Sequence, residues 1–164
     1  MNVNAFLDTG TGCHSDSRAL ANRWPQTPGT YALVLEATRS EEILVGGLGL
    51  CRFPPGYYVY VGSALGPGGL RARLARHLRS DKRSHWHIDF LAGRLPVVRV
   101  FAWPSVQRRE CEYVQRLLAW AGAIAAVPGF GSSDCHQGCP AHLILLPGGF
   151  DSTSIAGIAR HLTP

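Results

Sequence analysis

The chain has 164 residues and a mass of 17.7 kDa, a length that fits one domain with its own core. Hydrophobic residues make up 46% and mean hydropathy is +0.02, which excludes a disordered chain, and no uninterrupted apolar run of about 18 residues occurs, so no transmembrane helix is expected. Charged residues are only 16%, yet the formal net charge is +5, and every basic residue except Lys82 is arginine, whose planar fork suits phosphate better than the point charge of lysine.

In chain order, residues 1–25 are polar and rich in Gly, Ser and Asn and read as a loose leader to a single domain over 26–164. The leader lacks a basic and apolar secretory pattern, and five scattered cysteines (Cys13, Cys51, Cys111, Cys135, Cys139) read as reduced thiols, so a cytoplasmic location is expected. Residues 31–37 form an apolar strand, and a turn at Arg39 and Ser40 predicts 42–45 as its hairpin partner. A Gly- and Pro-rich connection over 46–56 leads to an aromatic, β-branched strand at 57–62.

From Gly68 and Gly69 the period changes. Leu70, Leu74, His77 and Leu78 share one face of a helix, with arginines on its flanks and back. A second short helix is predicted over 85–91, a strand over 96–102, an amphipathic helix over 106–122 and a late strand over 142–146. Asp151 and Ser152 are capping candidates for a closing helix over 151–162. The sum is an α+β fold: a small mixed, mainly antiparallel sheet flanked by helices.

Arg71, Arg73, Arg76, Arg79, Lys82 and Arg83 fall close together, opposed locally by Asp81 alone, with His77, His85 and His87 in or beside them. That is the electrostatic footprint expected of a nucleic-acid face; a solvated helix surface is the plainer alternative. Arg76 and Arg79 suit backbone phosphates or solvent, while Arg73 borders the apolar stripe and can reach a cleft.

Gly29-Thr30-Tyr31 and Tyr60-Val61-Gly62, followed by a helix carrying Leu70-Arg71-Ala72-Arg73-Leu74, resemble the two tripeptides and arginine helix of the GIY-YIG nuclease superfamily. The fuller text around Tyr60, with HWHIDF and GFGSSDC after it, resembles an uncharacterised, DUF123-like branch, also found fused to endonuclease III-like repair proteins. The likeness spans roughly residues 28–148. It implies an endonuclease, dependent on a divalent metal, that hydrolyses nucleic-acid phosphodiesters in DNA repair or processing. Its cofactor would be Mg²⁺ or Mn²⁺. Its partner would be nucleic acid, DNA in preference to RNA, with no membrane and with a protein partner for targeting.

Carried onto this chain, the resemblance gives Tyr31 and Tyr60 a role in positioning or activating water, Arg73 the scissile phosphate, and His77 a place beside them. Tyrosines with rings in the core and a hydrogen-bonded core histidine are the structural alternatives. The metal ligand is expected to be Glu110, because it shares a helix face with Val114, Leu117 and Ala121, whereas Glu112 points to water. Arg71, Arg76, Arg79, Lys82 and Arg83 are expected along the backbone of the nucleic acid. Gly62, Ser63, His87, Asp89 and Asp134 are expected around the cleft. No asparagine occurs after Asn22, although many relatives in the superfamily carry one behind the glutamate helix, so a non-catalytic nucleic-acid-binding module is the rival reading. Cys135, His136, Cys139 and His142 have zinc-type side chains at a plausible tight spacing. Structural zinc sites normally draw ligand pairs from separated hairpins, however, and His142 begins a strand, so the stretch reads as a loop of reduced cysteines and zinc is not expected.

Overall fold

Alternation along the two most apolar stretches sends successive side chains to opposite faces, and both faces are buried. In the computed structural model, which describes residues 7, 8, 23–146, 157, 158 and 162, these stretches become the long central strands. The strands are β1 (Leu7–Asp8), β2 (Gly29–Ala37), β3 (Glu41–Leu44), β4 (Leu50–Phe53), β5 (Gly56–Ala64), β6 (Val97–Pro104), β7 (Ile124–Ala125) and β8 (Leu143–Leu146). Three α-helices have described bounds, α1 (Gly69–Leu78), α2 (His87–Ala92) and α3 (Glu110–Leu118), and Gly46–Leu48 forms a 3-10 turn. The main sheet runs β1-β6-β2-β5-β8-β7, and all its pairings are antiparallel. The fold is α+β. None of its described helices is long and apolar enough to cross a membrane.

The sheet has a core on each face. On one, Tyr31, Leu33, Leu35, Tyr58 and Tyr60 pack with Leu70 and Leu74 of α1 and Ile88 and Leu91 of α2, together with Phe53 and Trp24. On the other, Ala32, Val34, Val59 and Val61 pack with Tyr113, Val114 and Leu117 of α3 and with Ile158 and Leu162. The central strands therefore read as continuous apolar runs, because neither face meets water.

Several boundaries differ from expectation, each for a physical reason. β3 does not pair with β2, whose two edges are taken by β5 and β6; it pairs with β4, inside the stretch expected to be a connection, as a separate two-stranded sheet. The helix expected over 106–122 begins only at Glu110, because residues 105–107 form a tight turn in which the Gln107 amide donates to Ser105 Oγ at 3.1 Å. Leu7–Asp8, in the stretch read as a leader, pairs with Val100 and Arg99, and Trp24 is buried. Of the closing helix only 157, 158 and 162 are described, and all three are helical; the other residues of 151–162 lie outside the described residues.

Burial separates sites that matter for stability from those that do not. Leu117→Ala, which empties a fully buried position, is expected to cost about 2–5 kcal/mol in urea denaturation. Val106→Ala, at an exposed position, should stay within about 0.5 kcal/mol of wild type.

Candidate functional site

The register of β2 against β5 places Tyr31 directly opposite Gly62. A β-carbon at 62 would lie 2.5 Å from Tyr31 Oη and 2.7 Å from Cζ, so the bare glycine makes room for the tyrosine of the next strand. A second glycine does the same for Tyr60: Gly131, at φ +69°, would carry a β-carbon 2.8 Å from Tyr60 Cε2. Between these crowded points opens a cavity of about 360 Å³. Tyr31, Tyr60, Gly62, Ser63, Arg73, His77, His87, Glu110 and Asp134 all line it, drawn from β2, β5, α1, α2, α3 and the long segment before β8.

Tyr31 and His77 meet inside this cavity, with the phenol oxygen 2.7 Å from His77 Nε2. Burial, followed by the neighbouring Tyr60, pushes the Tyr31 phenol well above its usual value of 10, so it carries its proton. Burial pushes Tyr60 up to about 12 and holds His77 below its usual 6.5, so the imidazole is neutral at pH 7. The other ring nitrogen, Nδ1, lies 3.4 Å from the buried Asp89 carboxylate. A neutral imidazole keeps its hydrogen on the nitrogen facing the anion, which leaves Nε2 to accept from Tyr31.

Asp89 is the hub beneath the cavity. Its Oδ2 accepts from the amides of His85 and Trp86 and from Arg76 Nη2, each at 3.1 Å, and Lys82 Nζ lies 3.2 Å from Oδ1. Burial alone would push its carboxyl up, but His77, the two amides and Lys82 more than reverse that, and it sits well below the usual carboxylate range. The reach back to the Trp86 amide also caps the start of α2.

Arg73 enters the cavity from α1 with its guanidinium carbon 4.4 Å from the Trp86 ring centroid. That stacking holds the cation without a carboxylate partner among the described residues, so its N–H groups can face an anion in the cavity. Glu110 enters from the first turn of α3. Its Oε1 accepts from Ser63 Oγ at 3.0 Å and Arg108 Nη1 at 3.3 Å; its Oε2 is buried and meets no hydrogen-bond donor among the described residues. Glu112 faces outward, paired with Arg109 and Arg116.

The other basic residues divide. Arg71 Nε donates to the Trp24 carbonyl at 2.9 Å, and Arg76 and Lys82 turn inward to Asp89. Arg79 is exposed and paired with Asp81, and Arg83 is exposed. His87 accepts the Gly131 amide at 3.1 Å through Nδ1, and Asp134 is exposed at the rim. Trp86, Arg108, Gly131 and Ser133 were not anticipated as pocket residues. Tryptophan beside an arginine helix was the available signal for the first, whereas the others depend on how distant segments return to the sheet.

The cofactor expectation is corrected. Cys111, Cys135, Cys139 and His142 bring their ligating atoms within 4.8 Å of one another, a Cys₃His donor set suggestive of zinc. Cys135 to His142 alone did not make a convincing set, because the fourth donor comes from the first turn of α3, far away in the chain. The amides of Cys139 and Gln137, with His142 and Cys111, bring the Cys135 thiol down to about 6 against the opposing effect of burial.

A family model described as "Domain of unknown function DUF123" matches residues 30–160. No curated protein and no solved structure matches the chain.

Two outcomes follow from this geometry. Gly62→Ala is expected to displace the Tyr31 ring, seen as loss of the Tyr31–His77 contact in histidine side-chain NMR spectra. Asp89 has a folded value below its unfolded one near 3.9, so its stabilising contribution is complete above about pH 4 and is lost as the pH falls through the folded value. Asp89→Asn should cost about 3 kcal/mol or more at neutral pH and flatten this acid limb, measured by urea denaturation from pH 7 to pH 3.

Proposed function

The chain belongs to the DUF123 family, and we propose that it is an endonuclease of the GIY-YIG type that hydrolyses nucleic-acid phosphodiesters in the Tyr31–Glu110 cavity. One observation carries this reading: Tyr31, Tyr60, Arg73, His77 and Glu110, spread over eighty residues of sequence, line one cavity. The combination of a stacked cation, a carboxylate with one unengaged oxygen and a tyrosine bonded to a neutral imidazole supports phosphoryl chemistry more than carbonyl chemistry. Its cation is placed for a phosphate, and among the described residues His77 Nε2 is bonded to Tyr31 rather than to a serine or cysteine.

The scissile phosphate would lie against Arg73, whose fixed charge is worth most where negative charge builds up on the phosphoryl oxygens. The attacking water would give its proton to the Tyr31 oxygen as Tyr31 passes its own to His77 Nε2, and Asp89 would stabilise the resulting imidazolium. This relay avoids a free Tyr31 phenolate, which burial disfavours. Tyr60 positions the water. Glu110 Oε2 is the group that would hold a divalent cation, and such a cation, when bound, supplies positive charge to the leaving oxygen. Arg79 and Arg83, exposed at and beyond the end of α1, are suited to flanking phosphates.

The test is cleavage of labelled branched, single-stranded and duplex DNA and RNA, with divalent cations supplied one at a time. Arg73→Ala and Glu110→Ala should each lower the cleavage rate by about 100-fold or more. A wild-type protein that cuts none of these, yet binds them with a steep salt dependence, would instead be a binding module. The rate depends on neutral His77, so it should fall as the pH drops through a midpoint below 6.5, and Asp89→Asn should move that midpoint lower still, because the carboxylate favours the imidazolium.

A further inference from the structure

We propose that Cys111, Cys135, Cys139 and His142 form a closed zinc site that fastens one wall of the cavity to α3. Cys111 Sγ lies 3.4 Å from Cys135 Sγ and 3.8 Å from His142 Nε2. Zinc bonds of about 2.3 Å to sulfur and about 2.0 Å to nitrogen give a tetrahedron with edges of about 3.5–3.8 Å; all four donor atoms lie within 4.8 Å of one another, so an ion would draw the widest pair in by about 1 Å. The sulfurs are not bridged: 3.4 Å is far beyond a disulfide bond of about 2.05 Å, and all four cysteines among the described residues are free. Burial of Cys139 and His142 makes the donors a built set rather than a chance surface cluster.

The placement of the ligands says what the ion does. Cys111 belongs to the first turn of α3, immediately after Glu110; His142 leads into β8; Cys135 and Cys139 lie in the irregular segment between β7 and β8. That segment carries Gly131, Ser133 and Asp134 into the cavity wall, and His142 itself reaches the cavity. It is tied to the rest of the fold by the buried Phe130, by the Gly131 amide that donates to His87, and by backbone bonds such as Gly129 N to Pro140 O and His142 N to Phe130 O, both at 2.8 Å, but the stretch from Ser133 to Gly138 is largely exposed. An ion bound to all four side chains joins this wall, β8 and the helix start at one point, and so fixes Glu110 relative to Gly131 and Tyr60. Four protein ligands leave no open position, which makes the ion structural rather than a source of bound hydroxide. The inference does not rest on the nuclease reading.

Elemental analysis of protein purified under reducing conditions without added metal should find about one zinc per chain. Cys135→Ser should lose most of it, and Cys51→Ser, outside the cluster, should keep it. Cobalt substitution should give thiolate-to-cobalt absorption and strong tetrahedral visible bands, a readout that needs no variant to fold. Chelation with reductant present should raise hydrogen exchange over residues 129–142 about tenfold or more, with little change in β2 and β5, and added zinc should reverse it. Less than a tenth of an equivalent of zinc in fully reduced protein, full zinc in Cys135→Ser, or a weak octahedral cobalt spectrum would each overturn the site. Reduced protein that purifies without zinc yet cuts nucleic acid would overturn this inference alone, whereas zinc-loaded protein that cuts nothing would overturn the nuclease reading alone.

Discussion

Tyr31 and Gly62 face each other across the β2–β5 ladder, and the β-carbon absent at 62 is the space that the tyrosine fills. The rest of the site is built outward from that contact. With its ring seated there, Tyr31 reaches His77 on α1, and His77 in turn faces Asp89 on α2. A one-residue slip of β5 would turn Gly62 and Tyr60 to the other face of the sheet and leave the α1 side without a cavity. The length of β2 and β5, paired residue for residue from Gly29–Ala64 to Ala37–Gly56, is what guards against such a slip.

Burying a carboxylate beneath this contact has a cost that the surroundings offset with two amides, Arg76 and Lys82. The same anion orders the site: it caps α2, draws two cations away from solvent and biases the tautomer of His77. Arg73 is left outside that arrangement, stacked on Trp86. The division of labour among the basic residues follows. Some of the charge that looks like a nucleic-acid surface in the sequence is consumed internally, and of the two arginines that line the cavity, Arg108 is paired with Glu110 while Arg73 has no carboxylate partner among the described residues.

How much of this was legible depends on range. The central strands and α1 were readable because their periodicity is strong and local, and burial of Leu70, Leu74 and His77 follows the helical spacing. Glu110 rather than Glu112 on the buried face was also a matter of period alone. The β3–β4 pair was missed because a Gly-rich stretch hides a four-residue strand, and its partner could be assigned only once both edges of β2 were known to be occupied. The metal cluster was misjudged for the same reason: three of its donors lie close in sequence, but the donor that completes a tetrahedral set comes from α3. Neither propensity nor spacing carries that information. It arises from the sheet order, which brings β8 beside β5 and the start of α3 over both.

The central claim is that a phosphate belongs between Arg73 and Glu110 inside the cavity. A crystal structure of the Glu110→Ala protein with a short oligonucleotide, held uncut by the substitution, tests this most directly. The account predicts one phosphate within hydrogen-bonding distance of the Arg73 guanidinium, with Tyr31 and Tyr60 beside it. An oligonucleotide lying along exposed arginines with the cavity filled only by water would contradict it.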